Sequence, residues 1–248
     1  MEASDFQHPQ FKPLLDTGLN LHCVLDLAAL PTKISSQLAA LTPDFAAMRQ
    51  VIIIGHGGPG LWDAVTDGRA VGEIDGADPI DTNSRQSVAD FFHGYQFHCL
   101  YPGDAAVNLQ WFGEYAGWHH TTPFRIGINA AFGTWFAYRA LVIANTRFAL
   151  SKKSATQHPC TGCTTKACMA ACPVARPGAD AIDLNDCLGY RLSENSPCAQ
   201  TCLAREACPV APRQRYSTAQ LAYHYNESLI YLKRHRRNNS PAPPGKAR

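Results

Sequence analysis

The sequence predicts an α+β fold: a sheet-and-helix domain over residues 1–152, a cysteine-rich module over 153–213, a helix over 214–237 and a tail over 238–248. Two observations carry this. Strand-like and helix-like segments before residue 150 mix without strict βαβ alternation, which favours α+β over a doubly wound sheet. Composition then shifts at Ser151 to Cys, Pro, Ala and Thr, leaving few large apolar residues to form a core.

The elements follow in order. In residues 19–27, Leu19, Leu21, Cys23, Leu25 and Leu27 alternate with period two, the pattern of a half-buried strand. Ser35 to Gln50 reads as a helix broken at Thr42-Pro43, with Pro placed at a first helical turn after a Thr cap. Val51-Ile52-Ile53-Ile54, wholly apolar and closed by glycines, reads as a central strand. Asp81 to Phe97 places Val88, Phe91, Phe92 and Tyr95 at helical spacing, and Asp104 to Trp118 does the same with Val107, Trp111, Phe112 and Tyr115. Phe124 to Ala130 and Trp135 to Thr146 read as strands around a Phe132-Gly133 turn, the second rich in aromatic and branched residues. Ser217 and Gln220 form a capping box opening a helix whose apolar face is Leu221, Tyr225, Leu229 and Leu232. The Pro-rich tail reads as disordered.

A chain of 248 residues can bury a substantial core, and its formal charge of +2 creates no strong global field toward nucleic acid or anionic membrane. The N-terminus is polar and acidic with no following apolar segment, and no apolar run approaches a membrane span, so a cytoplasmic protein without a membrane partner is expected.

Eight of the ten cysteines fall between Cys160 and Cys208; Cys23 and Cys99 stand apart in apolar surroundings. A disulfide scaffold suits small secreted domains, whereas clustered thiols in a reducing compartment are more often metal ligands. The first group is Cys160-x2-Cys163-x4-Cys168-x3-Cys172-Pro173, close to the ferredoxin run C-x2-C-x2-C-x3-C-P with a middle gap two residues longer. The second is Cys198-x3-Cys202-x5-Cys208-Pro209, with Cys187 between the groups; both groups end in Cys-Pro-Val-Ala. Two [4Fe–4S] clusters are therefore expected, one on Cys160, Cys163, Cys168 and Cys208, the other on Cys172, Cys187, Cys198 and Cys202. Zinc is the rival, since zinc sites also use C-x2-C pairs, but it leaves the two Cys-Pro endings unexplained.

Three further signals have plainer readings. Gly55-His56-Gly57-Gly58-Pro59-Gly60 matches G-x-G-x-x-G, with Glu73 and Asp75 near the place of a ribose-binding acid, but Pro59 removes an N–H that a phosphate cradle needs. A glycine-rich turn at the sheet's edge lining a cofactor pocket is preferred. His119-His120 and the pair His93 and His98 read as chance neighbours rather than ligands. Lys233 to Arg237 is a basic run at a helix C-terminus, where cations meet the helix dipole; docking of an acidic redox partner or RNA is the minority reading.

The order of elements resembles the epoxyqueuosine reductases, cobalamin-dependent iron–sulfur enzymes. Their module also carries a C-P-ending group, a lone cysteine after a Leu-Asp-like segment (here Asp183 to Tyr190, around Cys187) and a second C-P-ending group. The segment Ile126 to Phe136 is similar to the one lining their corrinoid pocket, and its extension through Arg139 is similar to cobalamin-processing proteins of the CblC type, as is Gln214-Arg215-Tyr216-Ser217 running into Gln220 and Tyr223. The resemblance implies a nitroreductase-like sheet domain binding a corrinoid, followed by a ferredoxin-like module. It implies cofactor contacts from Asn129, Phe132, Trp135 and Arg139. Asp104 stands in the place of the reductase's proton-donating aspartate, although the Pro that the family usually carries nearby, after a small residue, is absent. As a bare feature Asp104 reads equally as a helix N-cap, Trp135 as a core aromatic and Arg139 as a strand-edge arginine.

The expected function is thus an iron–sulfur redox protein passing electrons through two clusters to a corrinoid, as a cobalamin-dependent reductase of a small substrate. Its donor would be a small ferredoxin- or flavodoxin-type protein. Longer family members grip tRNA with helical repeats that this chain ends before, so tRNA is not expected as a partner. The alternatives are a cobalamin-processing or carrier protein, and a plain ferredoxin-type electron-transfer protein without corrinoid.

Overall fold

The computed structural model describes residues 2–67, 78–152 and 157–239, with the side chains of 235–239 left aside. The chain divides into two compact units. The first comprises Met1–Thr122, Ile126–Thr165 and Pro209–Arg215; the second comprises Pro123–Arg125, Lys166–Cys208 and Tyr216–Arg248.

The first unit is built on a four-stranded antiparallel sheet in the order β1-β2-β6-β3. After a short helix α1 (Lys12–Leu15), β1 (Leu21–Asp26) pairs with β2 (Gln50–Gly57), Cys23 facing Ile53. Between them lies α2 (Thr32–Leu41), which starts three residues before Ser35 and breaks at Thr42-Pro43 as expected. Asp44 is left-handed there (φ 50°) and only a single 3-10 turn follows, so Pro43 ends a helix rather than opening one. Beyond β2 come α3 (Gly60–Thr66) and α4 (Pro79–Phe91). The latter starts two residues earlier than its periodicity predicts, because Asp78 caps it by accepting the Asp81 N–H at 3.1 Å. It ends six residues early, because Gly94 takes a left-handed turn (φ 87°) and the chain enters β3 (Phe97–Tyr101).

The predicted helix from Asp104 is likewise shorter: α5 spans Leu109–Ala116, capped by Asn108, whose Oδ1 accepts the Trp111 N–H at 3.0 Å. The predicted strand over Phe124–Ala130 is reduced to β5 (Gly127–Ile128), paired with β4 (His120–Thr121) in a separate two-stranded ribbon. Then β6 (Phe136–Ala144) runs through the middle of the main sheet between β2 and β3.

The period-two reading of the first strand matches the core: Leu21, Cys23 and Leu25 share a buried cluster with Val51, Ile53, Leu141, Ile143 and Phe112. On the opposite face Ile52, Ile54 and Val142 are fully buried too, where α3 packs on β2 and α4 on β6. Phe11 stacks on Phe91 at 4.7 Å and on His22 at 5.1 Å, and Phe91 meets Phe92 edge-on, an aromatic knot worth more than its area alone. The glycine-rich run is not an edge turn. β2 continues through Gly55-His56-Gly57 in register with Phe136 to Tyr138, and a Cβ at Gly57 would strike the Phe132 ring. Glu73 and Asp75 lie outside the described residues.

The second unit is largely helical: α6 (Ala167–Ala171), α7 (Leu184–Arg191), α8 (Leu203–Ala207) and α9 (Thr218–Asn239). Its buried apolar residues are few, chiefly Phe124, Ile182, Ala204, Tyr216 and the Leu221, Tyr225 and Leu229 stripe of α9. Half of the expected capping box forms: Ser217 Oγ accepts the Gln220 N–H at 3.1 Å, while the buried Gln220 amide has no partner among the described residues. The helix runs through Asn238 and Asn239, where the tail was expected to begin; residues 240–248 lie outside the described part. Among the described residues no helix is long and apolar enough to cross a membrane.

One buried group makes the first unit acid-sensitive. His22 is 3% exposed, its Nε2–H donates to the Leu19 carbonyl at 2.7 Å and its Nδ1 accepts the His8 N–H at 3.4 Å. Burial, partly offset by the Leu19 hydrogen bond, lowers its pKa to about 4. The folded state binds this proton less readily than the unfolded chain, so stability is complete above the ordinary histidine pKa and falls as pH drops from about 6.5 toward 4. Urea unfolding at pH 7 and pH 4 is expected to differ by about 3 kcal/mol from this site, and His22→Gln should flatten that difference.

Candidate functional site

In the second unit the fold gathers thiols. Asp183 caps α7 by accepting the Asn185 and Asp186 N–H groups at 2.7 and 3.3 Å, which places Cys187 on the first turns of that helix. Cys172 caps the end of α6 and Cys202 opens α8. Cys172, Cys187, Cys198 and Cys202 stand close enough to feel one another's charge. Burial pushes the Cys187 thiol up, and Cys202, Cys172 and Cys198 add to that push while Arg191 opposes it. Cys198 is raised by burial and by Cys202 and Cys172, against a backbone hydrogen bond from Leu203 and the charge of Arg191. Cys202 is raised by burial, against hydrogen bonds from the Arg205 backbone and the Tyr225 hydroxyl and the charge of Arg205. The Arg191 and Arg205 guanidiniums favour the thiolate forms of Cys187, Cys198 and Cys202 against the effect of burial.

The remaining expected ligands divide between the units. Cys168, in α6, and Cys208, at the end of α8, belong to the second unit, where α6 packs on α8. Cys160 and Cys163 belong to the first. There the Cys160 N–H donates to His158 Nδ1 at 3.1 Å, and the His158 ring lies 4.9 Å from that of His120. Among the described residues no three His, Cys, Asp or Glu side chains converge as ligands of a single ion. His119 instead pairs with the Tyr138 hydroxyl through Nδ1 at 3.0 Å.

The cofactor-contact residues expected from the resemblance lie deep in the first unit. Phe132 is 2% exposed, Trp135 and Asn129 are fully buried, and Arg139 is 8% exposed. Asn129 Oδ1 accepts the Phe132 N–H at 2.8 Å, closing the Asn129–Gly133 turn, while its Nδ2 has no partner among the described residues. Gly133 is required there: its φ is 58°, and a Cβ would strike the Val210 carbonyl. Arg139, on an interior strand and not at an edge, donates from Nε to His56 Nδ1 at 3.1 Å and pairs with Asp81 at 3.2 Å. Asp104 sits exposed in the turn after Pro102, four residues before the Asn108 cap, so it is not an N-cap.

Comparison with solved structures recovers this architecture. An epoxyqueuosine reductase of Bacillus subtilis superposes with a TM-score of 0.50 at 12% identity, covering 84% of this chain and 66% of its own. An epoxyqueuosine reductase bound to an epoxyqueuosine-modified tRNA-Tyr stem loop gives the same TM-score, identity and coverage. This chain has the epoxyqueuosine reductase fold. It spans about two thirds of the length of those structures. A C. elegans B12-trafficking protein of the CblC type is also similar, at 13% identity over 90% of this chain and 91% of its own, with a TM-score of 0.44. No protein-family model and no curated protein matches the sequence.

Several site groups within this fold have no local signature in the sequence. Arg191, Arg205 and Tyr225 surround the four thiols, and His56 and Asp81 engage Arg139. Tyr225, His56 and Asp81 meet their partners from elements distant in sequence, so only pairing in space identifies them. The Asp81 side chain is one quarter exposed and Arg139's one tenth. Removing the carboxylate strands a buried guanidinium. Asp81→Asn is expected to cost roughly 2 kcal/mol in urea unfolding, whereas Asp90→Asn, on the same helix, should cost much less.

Proposed function

We propose that this chain is an iron–sulfur redox protein carrying two [4Fe–4S] clusters, which serve a corrinoid held by the first unit in the reduction of a small substrate. The observation that carries the reading is the gathering of Cys172, Cys187, Cys198 and Cys202, the set expected for one cluster, within mutual electrostatic range. Their chemistry fits the group. Cysteine thiolates are the usual ligands of such clusters. Thr201 Oγ1, next to Cys202, is buried without a partner among the described residues, as expected beside a site that takes a polar inorganic group.

Bound clusters supply one-electron transfer, and a bound corrinoid supplies a strongly reducing metal centre. The protein's part is to hold the thiolates, shield them from water and offer a proton. Cys160, Cys163, Cys168 and Cys208 are the proposed ligands of the other cluster. Asn129, Phe132, Trp135 and Arg139 are the proposed corrinoid-side residues, and the unpartnered Asn129 amide supports a polar group near that turn. Asp104, exposed in its turn, is the proposed proton donor. The proposed electron donor is a small ferredoxin- or flavodoxin-type protein.

A second reading, a plain electron-transfer protein without corrinoid, is favoured by the depth of Trp135 and the engagement of Arg139 by His56 and Asp81. Anaerobic purification with iron, sulfide, zinc and cobalt measured together separates the readings. About eight irons and eight sulfides per chain are expected; zinc without sulfide would overturn the cluster reading, and clusters without corrinoid binding would leave the second one. In a corrinoid-loaded protein, Asp104→Asn should lower turnover about 10²–10⁴-fold with cluster content unchanged; unchanged turnover would remove Asp104 from the chemistry.

A further inference from the structure

We propose that Tyr225, with Arg191 locking it in place, sets the reduction potential of the cluster on Cys172, Cys187, Cys198 and Cys202, holding it above the value those ligands would give alone. This rests on the iron–sulfur reading above.

The geometry comes from one helix-to-helix contact. Arg191, the last residue of α7, reaches α9 with both terminal nitrogens: Nη1 donates to Ser228 Oγ at 3.2 Å and Nη2 to the Tyr225 carbonyl at 3.5 Å. Its Nε donates to the Cys198 carbonyl at 3.4 Å, and its guanidinium lies over the Tyr225 ring, 4.9 Å from the centroid. A single cation thus ties the cysteine-bearing loop to α9 and covers one face of the phenol. The phenol is 9% exposed, and its hydroxyl bonds to the Cys202 sulfur. Arg205 completes the arrangement, stacked on Tyr216 at 4.7 Å and hydrogen-bonded to Tyr225.

Adding an electron to a thiolate-ligated cluster adds negative charge to it and its sulfurs. A hydrogen bond to a ligand sulfur and a nearby fixed cation both stabilise that charge, and each raises the potential. Burial strengthens both effects, because little water remains to screen them. Structural roles alone would not require the hydroxyl: a phenylalanine would fill the same space and keep the guanidinium over its ring.

The test uses the full chain loaded anaerobically with iron and sulfide, titrated with dithionite in the presence of mediators and followed by electron paramagnetic resonance. Tyr225→Phe should keep its iron and sulfide and lower one of two midpoints. At a fixed potential the reduced-to-oxidised ratio of that cluster should fall about tenfold, a shift of about 59 mV for one electron. Arg191→Gln should lower the same midpoint, and Arg191→Lys, which keeps the charge, should recover part of the shift. If both Tyr225→Phe and Arg191→Gln hold full iron and leave every midpoint in place, the proposal is wrong. If both midpoints move together, it is wrong as well, since the effect is then not local. A parent protein without iron and sulfide would fail at the earlier step and take this one with it.

Discussion

Crowding four thiols into a partly dry space is the constraint on which the second unit depends. Cys187, Cys198 and Cys202 resist ionisation because burial removes water and because neighbouring thiolates would repel the new charge. Hydrogen bonds and nearby cations oppose that resistance. Arg191 and Arg205 are two such cations, each lying over an aromatic ring that partly replaces its water. The unit's sparse apolar content follows from the same economy of space, since thiols and their neighbours occupy what would otherwise be core. The stripe Leu221, Tyr225 and Leu229 on α9 provides much of the remaining burial, so that helix groups with the cysteine segment.

The first unit solves a different problem. Its sheet buries both faces, and β2 is buried along its whole length. That leaves little solvent for the polar cluster of Arg139 with His56 and Asp81. A buried cation of this kind contributes little net stability, but losing its partner is costly. The cluster therefore holds β6 and α4 in one arrangement, next to the turn at Asn129–Gly133 that the fold shapes with a left-handed glycine.

Much of this was legible in sequence. Period two identified Leu21, Cys23 and Leu25 as one face, because alternate side chains on a strand must point the same way. The four-residue apolar run Val51–Ile54 pointed to an interior strand, and Ser217 to a helix start. Other elements were misread where a polar cap or a left-handed turn overrode apolar spacing. Asn108 delays α5, Gly94 ends the helical path before β3, and the two-residue ribbon at Gly127–Ile128 is too short for alternation to reveal.

By itself the sequence determined the α+β class and the eight clustered cysteines, because strand alternation, cap chemistry and ligand spacing are local properties of the chain. Tertiary structure alone decided that Cys172, Cys187, Cys198 and Cys202 meet, that Tyr225 and Arg191 stand over them, and that Arg139 is paired and buried instead of lying at an edge. Those facts depend on residues tens of positions apart arriving at one place. Chain closure and packing set that meeting, and no local pattern encodes it.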